Sequence, residues 1–163
     1  MRSAQGIDTI GPVIEFSYSS AAFLLPNRRP GAAMQIPVTA TCAALGGLLI
    51  LALALRVSLL RMRHRIALGD GGNAELLRAI RTHANTVEFL PMFVILSLCY
   101  ELYAGANGVL IILVALFLFA RVSFAIGLSL ASVHPLRRLG AGLSYLCLLL
   151  LSLLLLAAVI TSF

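Results

Sequence analysis

From Val38 to Leu55 every residue except the two threonines is apolar or glycine. At about 1.5 Å per residue, a helix of that length approaches the thickness of a bilayer's hydrocarbon core. Three further apolar runs follow, at Phe89 to Tyr100, Val109 to Leu130 and Leu143 to Ile160. The pattern predicts an all-α membrane protein with spans at about 38–60, 74–103, 108–131 and 139–162. Together they form a four-transmembrane-helix bundle over residues 34–163.

The polar interruptions define the connections. ALGDGGNAE turns the chain with three glycines and offers Asn73 as an N-cap, with Glu75 in the first helical turn. YAGANG makes a short second turn without a basic residue, and His134 and Pro135 make the third break. Residues 1–33 mix Gly, Pro, Ser and Asn with short apolar pieces, and lack the basic start and long apolar run of a signal peptide. The expectation there is disorder or an extension upstream of the true start, with Met1 and Met34 both open as the first residue.

The second span differs from the others because only its later half is apolar enough to sit in lipid. Its first half carries RAIRTHANTVEFLP, in which Arg78, Arg81, Asn85 and Glu88 fall on one polar stripe at about 100° per residue. Pro91 removes a backbone donor and leaves the Val87 carbonyl without its helical partner, so a kink beside Glu88 is expected.

Composition agrees with the pattern: 163 residues, 61% hydrophobic, 11% charged and a mean hydropathy of +1.03 exclude a soluble domain of this length. The net charge is +6, and all twelve basic residues are arginine. Arginine's planar fork grips carboxylates at two points and stays charged near lipid, which suits anion binding. A nucleic-acid binder would need a solvated basic face, whereas these arginines sit beside apolar spans. Some of them can instead only set topology. Basic residues crowd the first and third connections, which places those loops in the cytoplasm and both termini outside.

Arg121 falls in the later half of the third span, where it pairs with an acid, Glu88 being the one best placed, or snorkels to the interface. Cys42, Cys99 and Cys147 lie in apolar runs without metal-ligand or redox spacing and read as packing residues. There is no P-loop or HExxH, and no midplane polar site or inverted repeat of the kind a transporter needs.

Arg81, His83, Asn85, Glu88 and Pro91, in the order R-x-H-x-N-x-x-E-x-x-P, resemble the signature of the MAPEG family, the membrane-associated proteins of eicosanoid and glutathione metabolism. Ala120, Arg121, Phe124 and Gly127 match a second pattern, A-R-x-x-[aromatic]-x-x-G. The resemblance extends from Met34 to Phe163 and is to a bacterial-type member, which implies an inner-membrane homotrimer with glutathione bound between subunits near the cytoplasmic face.

The same resemblance implies a glutathione site made of Arg78, Arg81, His83, Asn85, Glu88 and Arg121. Two arginines can hold the tripeptide's carboxylates, Glu88 its ammonium and Asn85 a peptide group. His83 lies well off the stripe on a regular helix and can face an adjacent subunit or helix. A further arginine would stabilise the thiolate for attack on a hydrophobic electrophile from the bilayer, or for peroxide reduction. Arg137 is assigned that role, with Arg138 as its competitor.

Phe124, Leu128 and Phe89 stand where catalytic members commonly carry tyrosine or histidine, so three polar contacts are missing. The implied activity is a glutathione-dependent transferase or peroxidase. The alternative is a non-catalytic membrane module that binds glutathione or lipid.

Overall fold

The computed structural model describes residues 35–131 and 133–161 of the chain. The expectation for residues 1–33 lies outside these. The described chain forms four helices, α1 Pro37–His64, α2 Ala74–Ala104, α3 Gly108–Leu130 and α4 Pro135–Ile160. All four are long and apolar enough to cross a membrane, and the chain is an integral membrane protein with four spanning helices.

Each helix start has a local cause. Pro37 opens the first turn of α1, and Ile36 in the cap position supplies no side-chain bond. The missing acceptor comes from α2, where the buried Glu101 carboxylate accepts from Val38 N at 3.0 Å and Thr39 N at 2.8 Å. A carboxylate there also meets the positive end of the helix dipole. Asn73 caps α2 by accepting from Glu75 N at 2.9 Å and Leu76 N at 3.0 Å, as its position in the turn predicts. Asn107 caps α3 through Leu110 N, and His134 Nδ1 caps α4 through Leu136 N at 3.2 Å.

Helix α1 ends at Arg65, whose left-handed backbone (φ 53°) lets Ile66 N reach the Arg61 carbonyl. Arg61, Arg63 and His64 in its last turn complement the dipole. Helix α2 runs through Pro91 as one helix. Helix α4 begins at Pro135, ahead of the expected span at about 139–162, and Arg137 and Arg138 lie in its first turn.

The core gathers Cys42, Leu90, Phe93, Phe117, Cys147 and Leu151, and the rings of Phe93 and Phe117 stack with centroids 3.8 Å apart. Thr82, Thr86, Ser97 and Ser144 are fully buried and return their hydroxyl protons to carbonyls four residues earlier. Helices α3 and α4 approach most closely. A methyl at Gly140 would overlap the backbone of Ala120 and Phe124, and one at Gly127 would overlap the backbone of Arg137. These two glycines therefore fix where the first turn of α4 stands against α3. Much of the outer surface is aliphatic, with Leu48, Leu59, Leu149 and Leu156 all more than half exposed, as a lipid-facing or subunit-facing surface requires.

Candidate functional site

Two clefts open at the end of the bundle where α1 and α3 finish and α2 and α4 begin. The larger, about 440 Å³, is lined on α2 by Leu77, Arg78, Arg81, Ala84, Asn85 and Glu88. Phe124 and Leu128 from α3 and Arg137 from α4 complete it. Its volume falls within the range of about 300–1,000 Å³ common for small-ligand sites. The second, about 370 Å³, shares Asn85, Phe124 and Arg137 and continues along α4 past His134, Arg138 and Ala141 to Tyr145.

The polar stripe of α2 thus lines a single wall. Arg81 and Glu88 are partly or fully open to the surface, and Arg78 and Asn85 line the cleft beside them. Among the described residues, the side chains of Arg78, Arg81 and Glu88 make no hydrogen bond or close ion pair, and the buried Nε of Arg78 has no partner. Two guanidiniums and one carboxylate are therefore available to a ligand carrying the opposite charges. Arg137 of α4 also borders the cleft, and with Arg138 it stands at the helix's positive end, which strengthens the attraction for an anion.

Arg121 is placed differently from the expectation. It is fully buried and lines neither cleft. Its Nη2 donates to Asn85 Oδ1 at 2.8 Å and Thr86 Oγ1 at 3.2 Å, and its Nη1 to Ser144 Oγ at 3.4 Å. Phe124 and Phe89 lie against the guanidinium, at 4.9 and 5.6 Å from their ring centroids. It neither snorkels nor forms a contact ion pair with Glu88. The neutral acceptors are nearer because Asn85 and Thr86 occupy the α2 face toward α3, whereas Glu88 turns outward. Arg121 meets the clefts through Asn85, whose Oδ1 it occupies, leaving the amide NH2 to them, and its own buried Nε has no partner among the described residues.

His83 lines neither cleft. At about 100° per residue it points well away from the Arg81–Asn85–Glu88 stripe. The arginines of α1 line neither cleft. Arg56 donates to Ser129 Oγ on α3, and Arg61 to the carbonyls of Ile66 and Ala67. Arg138 lines only the second cleft, whereas Arg137 lines both.

Thr86, Ser144 and Tyr145 were not singled out by the sequence pattern. Thr86 and Ser144 resemble any hydroxyl residue in a helix until Arg121 is placed beside them. Tyr145 had a usable signal, since Arg138, Ala141 and Tyr145 recur at three- and four-residue intervals and so share one face of α4.

A profile of the MAPEG family matches residues 39–157, which include both clefts and most of all four helices. Two curated proteins are similar: Inner membrane protein YecN of Escherichia coli strain K12 and the protein of that name from E. coli O6:H1 strain CFT073. Each is 45% identical over 65 residues, covering 40% of this chain. The chain spans about half the length of these relatives, 50% in each case. With well over half of its residues matched by the family profile, the chain belongs to the MAPEG family.

Proposed function

We propose that the protein is a glutathione-dependent transferase or peroxidase that activates the glutathione thiol against hydrophobic electrophiles arriving from the bilayer. The observation that carries this reading is the charge pattern of the larger cleft. Arg78, Arg81 and Glu88 lie along one helix face without hydrogen-bond partners for their side chains among the described residues, opposite Arg137. Glutathione presents two carboxylates, an ammonium and a thiol. Arg78 and Arg81 hold the carboxylates, Glu88 the ammonium, and the Asn85 amide NH2 a peptide carbonyl. Arg137 stabilises the thiolate, because a fixed positive charge favours the ionised sulphur.

The homotrimer that the family resemblance implies is supported by the same face. Glu88 is exposed on a membrane-spanning helix, and exposed charge in hydrocarbon is costly, so neighbouring subunits cover it and close the cleft. His83, pointing away from the stripe, belongs to that subunit contact or to the packing against α1. The arginine-rich end faces the cytoplasm.

The test is glutathione binding to the detergent-solubilised oligomer, followed by conjugation of an aryl halide. Saturable binding with turnover supports the reading, and binding that fails in the intact oligomer overturns it. A non-catalytic membrane module is the second reading, favoured by Arg121, whose hydrogen bonds to Asn85, Thr86 and Ser144 tie α3 to α2 and α4 and so serve helix packing. It predicts an intact oligomer that binds glutathione or lipid but gives no turnover.

A further inference from the structure

Reduction of a hydroperoxide needs a proton as well as a thiolate, and the groups around Arg137 restrict where it comes from. Arginine stays protonated and an asparagine amide does not titrate. Of the residues lining the second cleft, only His134 and Tyr145 carry a proton that can be transferred. His134 stands at the first turn of α4, where its Nδ1 is engaged as the cap acceptor for Leu136 N. Tyr145 lies further along the helix toward the bilayer, with its ring against Phe89 at a centroid distance of 5.3 Å. Its hydroxyl has no hydrogen-bond partner among the described residues, and the side chain is half exposed. A tyrosine on a helix leans toward the helix N-terminus, which directs this hydroxyl back toward the arginines.

We infer that the second cleft receives an organic hydroperoxide and that Tyr145 is the proton donor to its leaving oxygen. This rests on the glutathione reading of the adjoining cleft. The glutathione thiolate attacks the terminal peroxide oxygen, a sulphur–oxygen bond forms, and the oxygen–oxygen bond breaks with its electron pair going to the alkyl-bearing oxygen. That oxygen takes the phenolic proton of Tyr145 and leaves as the alcohol, while the tyrosinate regains a proton from water. The sulphur is now a sulfenic acid, and a second glutathione thiol converts it to the disulfide and water. The hydroperoxide is reduced and two thiols are oxidised, so the balance closes with glutathione as the only reductant.

The inference separates two kinds of electrophile. Displacement of halide from an aryl halide releases an anion that needs no proton, whereas an alkoxide is a poor leaving group until it is protonated. The experiment compares Tyr145→Phe, which keeps the ring against Phe89, with His134→Asn, which keeps a cap for α4. Both are assayed with cumene hydroperoxide and with a dinitrophenyl halide at saturating glutathione. Tyr145→Phe should lower kcat for the hydroperoxide by at least about tenfold more than for the halide, and His134→Asn should show no such difference. Equal effects of Tyr145→Phe on both substrates, or a selective loss in His134→Asn instead, would overturn the assignment. Absence of turnover with both substrates in the wild-type oligomer would overturn the transferase or peroxidase reading itself, whereas wild-type turnover with equal losses in Tyr145→Phe overturns only the assignment of Tyr145.

Discussion

Arg121 Nη2 lies 2.8 Å from Asn85 Oδ1, and that bond decides which end of the Asn85 amide is left to the clefts. A buried guanidinium on α3 therefore sets the hydrogen-bonding polarity of a residue on α2. In the proposed site Arg121 is a positioning residue, held by Thr86 and Ser144 and covered by two aromatic rings.

Arg121→Met tests that role. It removes a buried charge but leaves Asn85 Oδ1, Thr86 Oγ1 and Ser144 Oγ without their donor, and each stranded buried acceptor costs about 1–3 kcal/mol. The thermal midpoint in detergent should therefore drop. Glutathione affinity should fall about tenfold, the loss of one well-oriented hydrogen bond to the ligand, as read by calorimetric titration.

Gly127 sets the position of Arg137, the proposed thiol-activating arginine. In Gly127→Ala the added methyl meets the Arg137 backbone, so α4 must shift away from α3. Overpacking of this kind costs about 1–3 kcal/mol. Turnover should fall more than glutathione affinity does, because Arg137 moves while the α2 stripe stays in place. Single-turnover kinetics against equilibrium binding separate the two.

Glu101 stabilises the opposite end of the bundle. Glu101→Ala strands the first-turn N–H groups of Val38 and Thr39, at a cost of about 1–3 kcal/mol. The thermal midpoint should drop, with glutathione affinity unchanged, since the clefts lie at the other end of α2.

The role proposed for Glu88 is separable from that proposed for the arginines. A glutathione analogue lacking the amino group should bind the wild type about tenfold more weakly than glutathione, as expected for loss of one charge-assisted contact. Glu88→Gln should abolish that preference. Isothermal titration with both ligands and both proteins closes the cycle.

The helices were legible because lipid leaves little latitude: an uninterrupted apolar run can only span, and Asn73 before Glu75 marks the start of α2 without tertiary information. The α2 stripe was legible for the same reason, as charge at helical spacing on a spanning segment. What the pattern could not give was which helix answers which. Arg121 and Glu88 are the obvious opposite charges, yet Arg121 settles on Asn85, Thr86 and Ser144, because helix rotation decides what is adjacent. Glu101 drew no attention, since its partners are backbone N–H groups, which every sequence has. Arg137 and Arg138 could not be separated until Gly127 fixed the register of α4, after which only Arg137 borders both clefts.

The central claim is that Arg137 turns a glutathione-binding cleft into a thiol-activating one. It is tested most directly by thiolate ultraviolet absorbance during glutathione titration of the detergent-solubilised wild type, Arg137→Ala and Arg138→Ala. The account predicts a saturable thiolate signal in the wild type and in Arg138→Ala, and binding without that signal in Arg137→Ala. A thiolate signal that persists in Arg137→Ala, or its absence from wild type saturated with glutathione, would contradict it.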